Sequence, residues 1–382
     1  MDRKNLVQKL KTGLIGISAI SSLLFSCSDN SKLGSEGVSS GEKSNKIAYK
    51  IIQIEDDIDT IPFNTILSLK TLDSLIDNSE NYIEKKEFYN EKDLEKISKQ
   101  IYLEINKIKG IEKITEPCYT NSLIYSAIGN AHQIPFEIVD LGEHLFIQYN
   151  PDKKHDVLNP ENSVNEGDIN IETTTGEIQE IQNGKYSDTY YINEFALQKK
   201  GLEKRIFFKN LDEKELLSVV YAQTAGNYLK KNIKNQNNIK NDNWRKKAIE
   251  YCNKAIELDS TSQSAYLTLG IAESMKNEFP VSYTGQKKAI KCFEKALELS
   301  PSAKIYCQIG NSYSELGFRK IAIENYTSAL NLIYESRKEF NKPEDYLKNL
   351  ETECLFFRAR MYEILGNEKD AEKDKLLLDK IL

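Results

Sequence analysis

Histidine, tryptophan and paired cysteines are all scarce in this chain. Three histidines and one tryptophan occur in 382 residues, and the six cysteines form neither a CxxC pair nor a framework of close spacings. That excludes a zinc site or a disulfide scaffold as the organising principle, so no metal and no cofactor is expected. No basic stripe is present either: 52 Lys and Arg are interspersed with 58 Asp and Glu for a net charge of -6. Without clustered cations to neutralise phosphates, nucleic acid is not an expected partner. No glycine-rich loop of the Walker or Rossmann type occurs, which removes support for nucleotide-driven chemistry. The apolar run from Leu14 to Phe25 is too short to span a bilayer as an ordinary helix.

That short run has the flanks of a targeting segment. Arg3, Lys4, Lys9 and Lys11 precede it, and Leu24-Phe25-Ser26-Cys27 closes it. An aliphatic residue, a bulky Phe25, a small residue and then Cys resembles a bacterial lipobox. The resemblance implies a lipoprotein signal peptide over residues 1–26, cleavage before Cys27, and lipid on the Cys27 thiol and amine. Residues 27–48 are rich in Ser, Gly and charge and hold too little apolar surface to fold, so they read as a flexible tether. The expected location is the cell envelope, lipid-anchored to a bacterial membrane, with Ser28 and Asp29 compatible with the outer one.

Self-similarity marks the C-terminal part. Segments beginning at Lys247, Lys288 and Lys320 align with small residues in register, as Ala248, Ala289 and Ala322, then Ala255, Ala296 and Ala329. Aromatic and aliphatic neighbours at helical spacing give each segment one apolar face, and the alanines let another helix come close. First helices precede them around Ala265–Gly270 and Ile305–Gly310, with further ones at Leu355–Ala359 and Leu217–Tyr228. This pattern resembles the tetratricopeptide family, whose helix pairs recur at about 34 residues. The resemblance implies about four pairs over 211–382, an all-α TPR helical solenoid whose surface binds a protein or peptide partner. Insertions near Glu278–Tyr283 and Tyr334–Pro343 lengthen two spacings. Cys252, Cys292, Cys307 and Cys354 fall on apolar helix positions and are expected to be inert core thiols.

Residues 49–210 differ in texture. Helical patterning covers Asp93–Ile108 and Cys118–Ala131, the second introduced by Pro117. Strand alternation follows in Pro135–Asp140, His144–Tyr149 and Ile169–Thr173, with a polar loop, Asn150–Asp168, before the last. Helices followed by an antiparallel sheet argue an α+β domain. Three residues on these elements suit nucleophilic chemistry. Cys118 begins a helix, where free N–H groups and the dipole favour a thiolate. His144 begins a strand from which an imidazole can reach that helix end and act as a base. Glu172 could hold the other ring nitrogen and fix the tautomer. His132 and His155 have no such context and are expected in surface or loop positions.

The flanks of these residues resemble the transglutaminase-like superfamily, which has a papain-like core. The resemblance runs through Cys118–Tyr125, Ile134-Pro135, Gly142–Tyr149, Ile169–Thr174 and Tyr190–Phe195. It implies Cys118 as nucleophile, His144 as base and Glu172 in place of the family's usual Asp. The resulting expectation is an α+β transglutaminase-like domain followed by the TPR solenoid, acting on amide bonds as a peptidase, amidase or acyl-transferase. The alternative is a non-catalytic envelope scaffold, in which a degenerate domain of that kind and the repeats mediate protein–protein interaction.

Overall fold

A computed structural model of the chain describes residues 51, 69–86, 89–108, 117–141, 144–149, 169–179, 209–234, 243–275, 283–340 and 345–381. The signal peptide, Cys27, the tether, the whole Asn150–Asp168 loop with His155, and the Tyr190–Phe195 segment lie outside these residues, as does most of the Glu278–Tyr283 insertion. The described residues fall into two compact units, and the division lies between Val220 and Tyr221.

The first unit combines three helices with a small sheet. Helix α1, Leu69–Ser79, buries Leu72, Leu75 and Ile76. Helix α2, Glu91–Asn106, starts at a capping box in which Asn90 and Asp93 exchange side-chain-to-backbone hydrogen bonds. This satisfies donors that the first turn leaves without helical partners. Its Leu94, Ile97, Ile101 and Ile105 recur at helical spacing and are buried. Helix α3, Pro117–His132, is apolar nearly all round: Leu123, Ile124, Tyr125, Ala127 and Ile128 are all buried. A helix so composed belongs inside a layer, and α3 packs against α1, α2 and the first two strands.

The strands are β1 (Phe136–Asp140), β2 (Leu145–Tyr149), β3 (Ile169–Glu172), β4 (Glu177–Gln179) and β5 (Lys209–Asn210). They form one sheet in the order β4-β3-β2-β1-β5, with every pair antiparallel. In β2, residues on both faces are buried, among them Leu145, Phe146 and Ile147. Tyr149 anchors its far end, accepting the Tyr89 N–H at 3.1 Å and meeting the Phe136 ring edge-on.

The second unit is helical. Its elements are α4 (Glu213–Lys234, which begins in the first unit), α5 (Asn243–Leu258), α6 (Gln263–Ser274), α7 (Tyr283–Leu299), α8 (Ala303–Glu315), α9 (Arg319–Phe340), α10 (Asp345–Ile364) and α11 (Glu368–Ile381). All six alanines that set the sequence register are fully buried. Close approach shows in Gly270 and Gly310, where an added Cβ would lie 2.3 Å from the Phe293 ring and 2.6 Å from the Tyr326 ring. The aromatic at the second helix of each pair therefore occupies the space that glycine vacates on the first. Matching turns close the last two pairs. Gly317 and Gly366 adopt φ of 80° and 74°, a left-handed conformation that suits glycine at a helix C-terminus. The residue after each glycine then donates back, Phe318 N–H to Tyr313 O and Asn367 N–H to Tyr362 O, both at 2.9 Å.

Candidate active site

Pro117 opens α3, a position where its fixed φ suits the helix and its missing N–H costs nothing. Cys118 thus lies in the first turn, where backbone N–H groups lack helical acceptors and the dipole is positive. It is half-buried. His144 sits at the entry of β2, and its carbonyl accepts the Leu141 N–H at 2.9 Å to close the β1–β2 connection. Glu172 ends β3. The β2–β3 register opposes Ile147 to Ile171 and Gln148 to Asn170, so His144 and Glu172 share a face as diagonal neighbours.

The side chains meet. His144 Nε2 lies 2.7 Å from Glu172 Oε2, with the two side chains only 11% and 12% exposed. The Cys118 side chain also acts on the ring, favouring its charged form. The ring is thus paired with a carboxylate and influenced by the thiol. Burial of the His144 ring opposes its charge, yet hydrogen bonds to Cys118 and Glu172, and the charges of both, outweigh that cost and push its pKa up to about 9. Burial likewise works against a charged Glu172, but its bonds to His144 and Thr174 hold it below the usual carboxylate range. At neutral pH the ring carries the proton.

Residues that the sequence reading passed over hold this arrangement. Asn121, one turn along α3 from Cys118, donates from Nδ2 to Thr173 O at 2.8 Å, and Ser122 Oγ lies 3.3 Å from Thr173 Oγ1. Thr173 Oγ1 in turn donates to the Cys118 carbonyl at 3.5 Å. The start of α3 is thereby tied to the β3–β4 turn. Below it, Tyr125 Oη donates to Ser98 O at 2.7 Å while Ser98 Oγ donates to Gly176 O at 2.9 Å, linking α2, α3 and the same turn. The run Thr173-Thr174-Thr175 directly after an acidic residue carried the signal, since threonine hydroxyls commonly bond nearby backbone and side chains.

Two expectations need correction. His132 is not a surface or loop residue: it ends α3, is half-buried, and its Nε2 lies 2.6 Å from Ser79 Oγ, with burial lowering its pKa. Its α3 register turns it toward α1, where a hydroxyl receives it. Cys252, Cys307 and Cys354 are fully buried, but Cys292 is only half-buried. Burial pushes the Cys292 thiol up to about 11 and raises that of Cys252 further. Cys307 is raised well above the ordinary range by its bond to Cys354 and by burial.

A tetratricopeptide-repeat family model matches residues 286–302, spanning most of α7 and the turn after it. Among solved structures, one of MamA is 22% identical, covering 45% of this chain and 93% of that one at a TM-score of 0.28. YrrB, described as a TPR protein with an unusual peptide-binding site, is 20% identical over 41% of this chain and 93% of its own, at a TM-score of 0.23. No curated protein matches the chain. The matched segment is a tetratricopeptide repeat set within a succession of helix pairs.

Proposed function

We propose that this chain is a membrane-anchored thiol enzyme of transglutaminase-like type, which acts on amide bonds while its tetratricopeptide repeats hold a protein or peptide partner. One observation carries the reading: the His144 imidazole lies 2.7 Å from the Glu172 carboxylate, and Cys118 and Glu172 together hold its pKa above the ordinary value. The anchor in this reading is lipid on Cys27, and the α+β domain supplies the site.

In the reaction the Cys118 sulfur attacks the amide carbonyl, forming a carbon–sulfur bond and a tetrahedral oxyanion. The carbon–nitrogen bond then breaks as His144 gives its proton to the departing amine, leaving a thioester on Cys118. Water or a second amine attacks that thioester, His144 removes its proton, and the sulfur leaves with the carbon–sulfur electron pair. Glu172 keeps the ring oriented and offsets its charge throughout. Hydrolysis and acyl transfer differ only in the final nucleophile.

The test uses the full chain with labelled peptides and labelled primary amines. The reading predicts amine incorporation or peptide cleavage, an acyl-thioester detectable by mass on Cys118, and loss of both in Cys118→Ala and His144→Ala. Turnover that persists unchanged in both variants would overturn it.

A further inference from the structure

A glutamate that orients a histidine has one more torsion than an aspartate, and something must restrain it. In this site the restraint is visible on the carboxylate itself. Glu172 Oε2 faces His144 at 2.7 Å, while Oε1 accepts the Thr174 N–H at 3.0 Å and the Thr174 hydroxyl at 2.6 Å. Both oxygens are thus engaged, one by the base and one by the residue two positions along. We propose that Thr174 is a positioning residue whose hydroxyl fixes Glu172 against His144 and lets a glutamate serve as the orienting acid. This rests on the reading of Cys118, His144 and Glu172 as one reactive site.

Three features support the assignment. A hydrogen bond to an ionised carboxylate is stronger than one between neutral groups. Threonine is stiff at χ1 because of its branched Cβ, so its hydroxyl is a donor held in place. Thr174 also follows Thr173, whose carbonyl and hydroxyl are bonded to Asn121, Ser122 and the Cys118 carbonyl. The same dipeptide therefore holds the helix end that bears the thiol and the carboxylate that orients the base. Among the described residues, Cys118 from α3 and Glu172 from β3 are ionisable groups that act on His144. Tyr125 from α3 lies near enough to Glu172 to feel its charge.

The test is the His144 titration in the full chain, followed by NMR of its ring protons, with the three histidines assigned by substitution. Thr174→Val removes the hydroxyl but keeps the branched shape and the backbone N–H. It is expected to lower the His144 midpoint by roughly half to one pH unit, and Thr174→Ser to restore it to within about 0.2. A role confined to packing would leave that midpoint in place. The His132 signal, dependent on Ser79 rather than on Glu172, reports whether the unit stays folded; if the valine variant does not, Thr174→Ala replaces it. An unchanged midpoint in Thr174→Val beside a lowered one in Glu172→Gln overturns the role of Thr174 and leaves the thiol site standing. No change in Glu172→Gln either would overturn the site reading together with it.

Discussion

Cys118 and Cys307 present the same thiol from the same kind of element, yet the two units give it opposite surroundings. Cys118 is half-buried in the first turn of α3 and acts on the charge of an imidazole. Cys307 is fully buried on α8 among Tyr326, Leu330, Cys354 and Leu355, where the Cys354 thiol, burial and the Glu353 carboxyl raise its pKa. A thiolate needs a positive partner and a route for the reagent. The first unit supplies a cation, whereas the second surrounds sulfur with hydrocarbon and acids. The proposed reactivity of Cys118 thus rests on placement, and Cys252, Cys307 and Cys354 of the helix repeats serve packing.

The sharpest way to break the contrast is to open the repeat core. Phe293 is fully buried and fills the space beside Gly270, so Phe293→Ala should cost about 3–5 kcal/mol. Chemical unfolding followed by helical circular dichroism would register the loss, and Cys252 should become accessible to thiol reagents. An unshifted midpoint would mean the repeats do not share a packed core.

The two units also titrate differently. Glu353 on α10 is buried, and although Asn311 donates to it at 3.3 Å, burial pushes its pKa up to about 7. Its folded pKa exceeds its unfolded value near 4.5, so the folded state binds the proton more tightly. Stability from this group is present below that value and falls as pH rises through about 7, by a few kcal/mol at most, on the order of 3. His144 has the same sign in a higher window: its contribution is full below about 6.5 and is lost as pH rises through about 9. Glu353→Gln should flatten the lower window of the unfolding free energy and leave the upper one, whereas His144→Gln should do the reverse. Equal slopes in wild type and Glu353→Gln between pH values of about 5 and 7 would contradict the assignment.

A smaller effect is expected at Gly310. An added Cβ would lie 2.6 Å from the Tyr326 ring, and overpacking of that sort costs about 1–3 kcal/mol. Gly310→Ala should lower the melting temperature, and a companion Tyr326→Phe should not relieve it because the clash is with ring carbons. Full tolerance of the alanine would show that the helix pair can move apart freely.

How much of this was legible in sequence differs between the units for a physical reason. The repeats are local: an alanine or glycine that must face a neighbouring helix recurs in register, and the burial of Ala248, Ala289 and Ala322 follows from the pattern itself. In the first unit the long periodic elements were readable, with Asp93–Ile108 found as Glu91–Asn106 and the strand from Pro135 as Phe136–Asp140. The short β4 and β5 were not, because three and two residues carry no period, and β5 owes its conformation to pairing with distant β1. Helix α1 also went unread. The order Cys118, His144, Glu172 could be proposed from element starts and matched flanks. The grip of Thr173 on α3, that of Thr174 on Glu172, and the bond between His132 and Ser79 depend on tertiary contacts that no spacing encodes.

The central claim is that the Cys118 thiol and the His144 imidazole act as one unit, and iodoacetamide labelling with peptide mapping near pH 6 tests it most directly. The account predicts that Cys118 alkylates faster than Cys252, Cys292, Cys307 and Cys354, and that His144→Ala slows it by about tenfold or more by removing the positive partner. Alkylation of Cys118 at the rate of half-buried Cys292, or a rate untouched by His144→Ala, would contradict it.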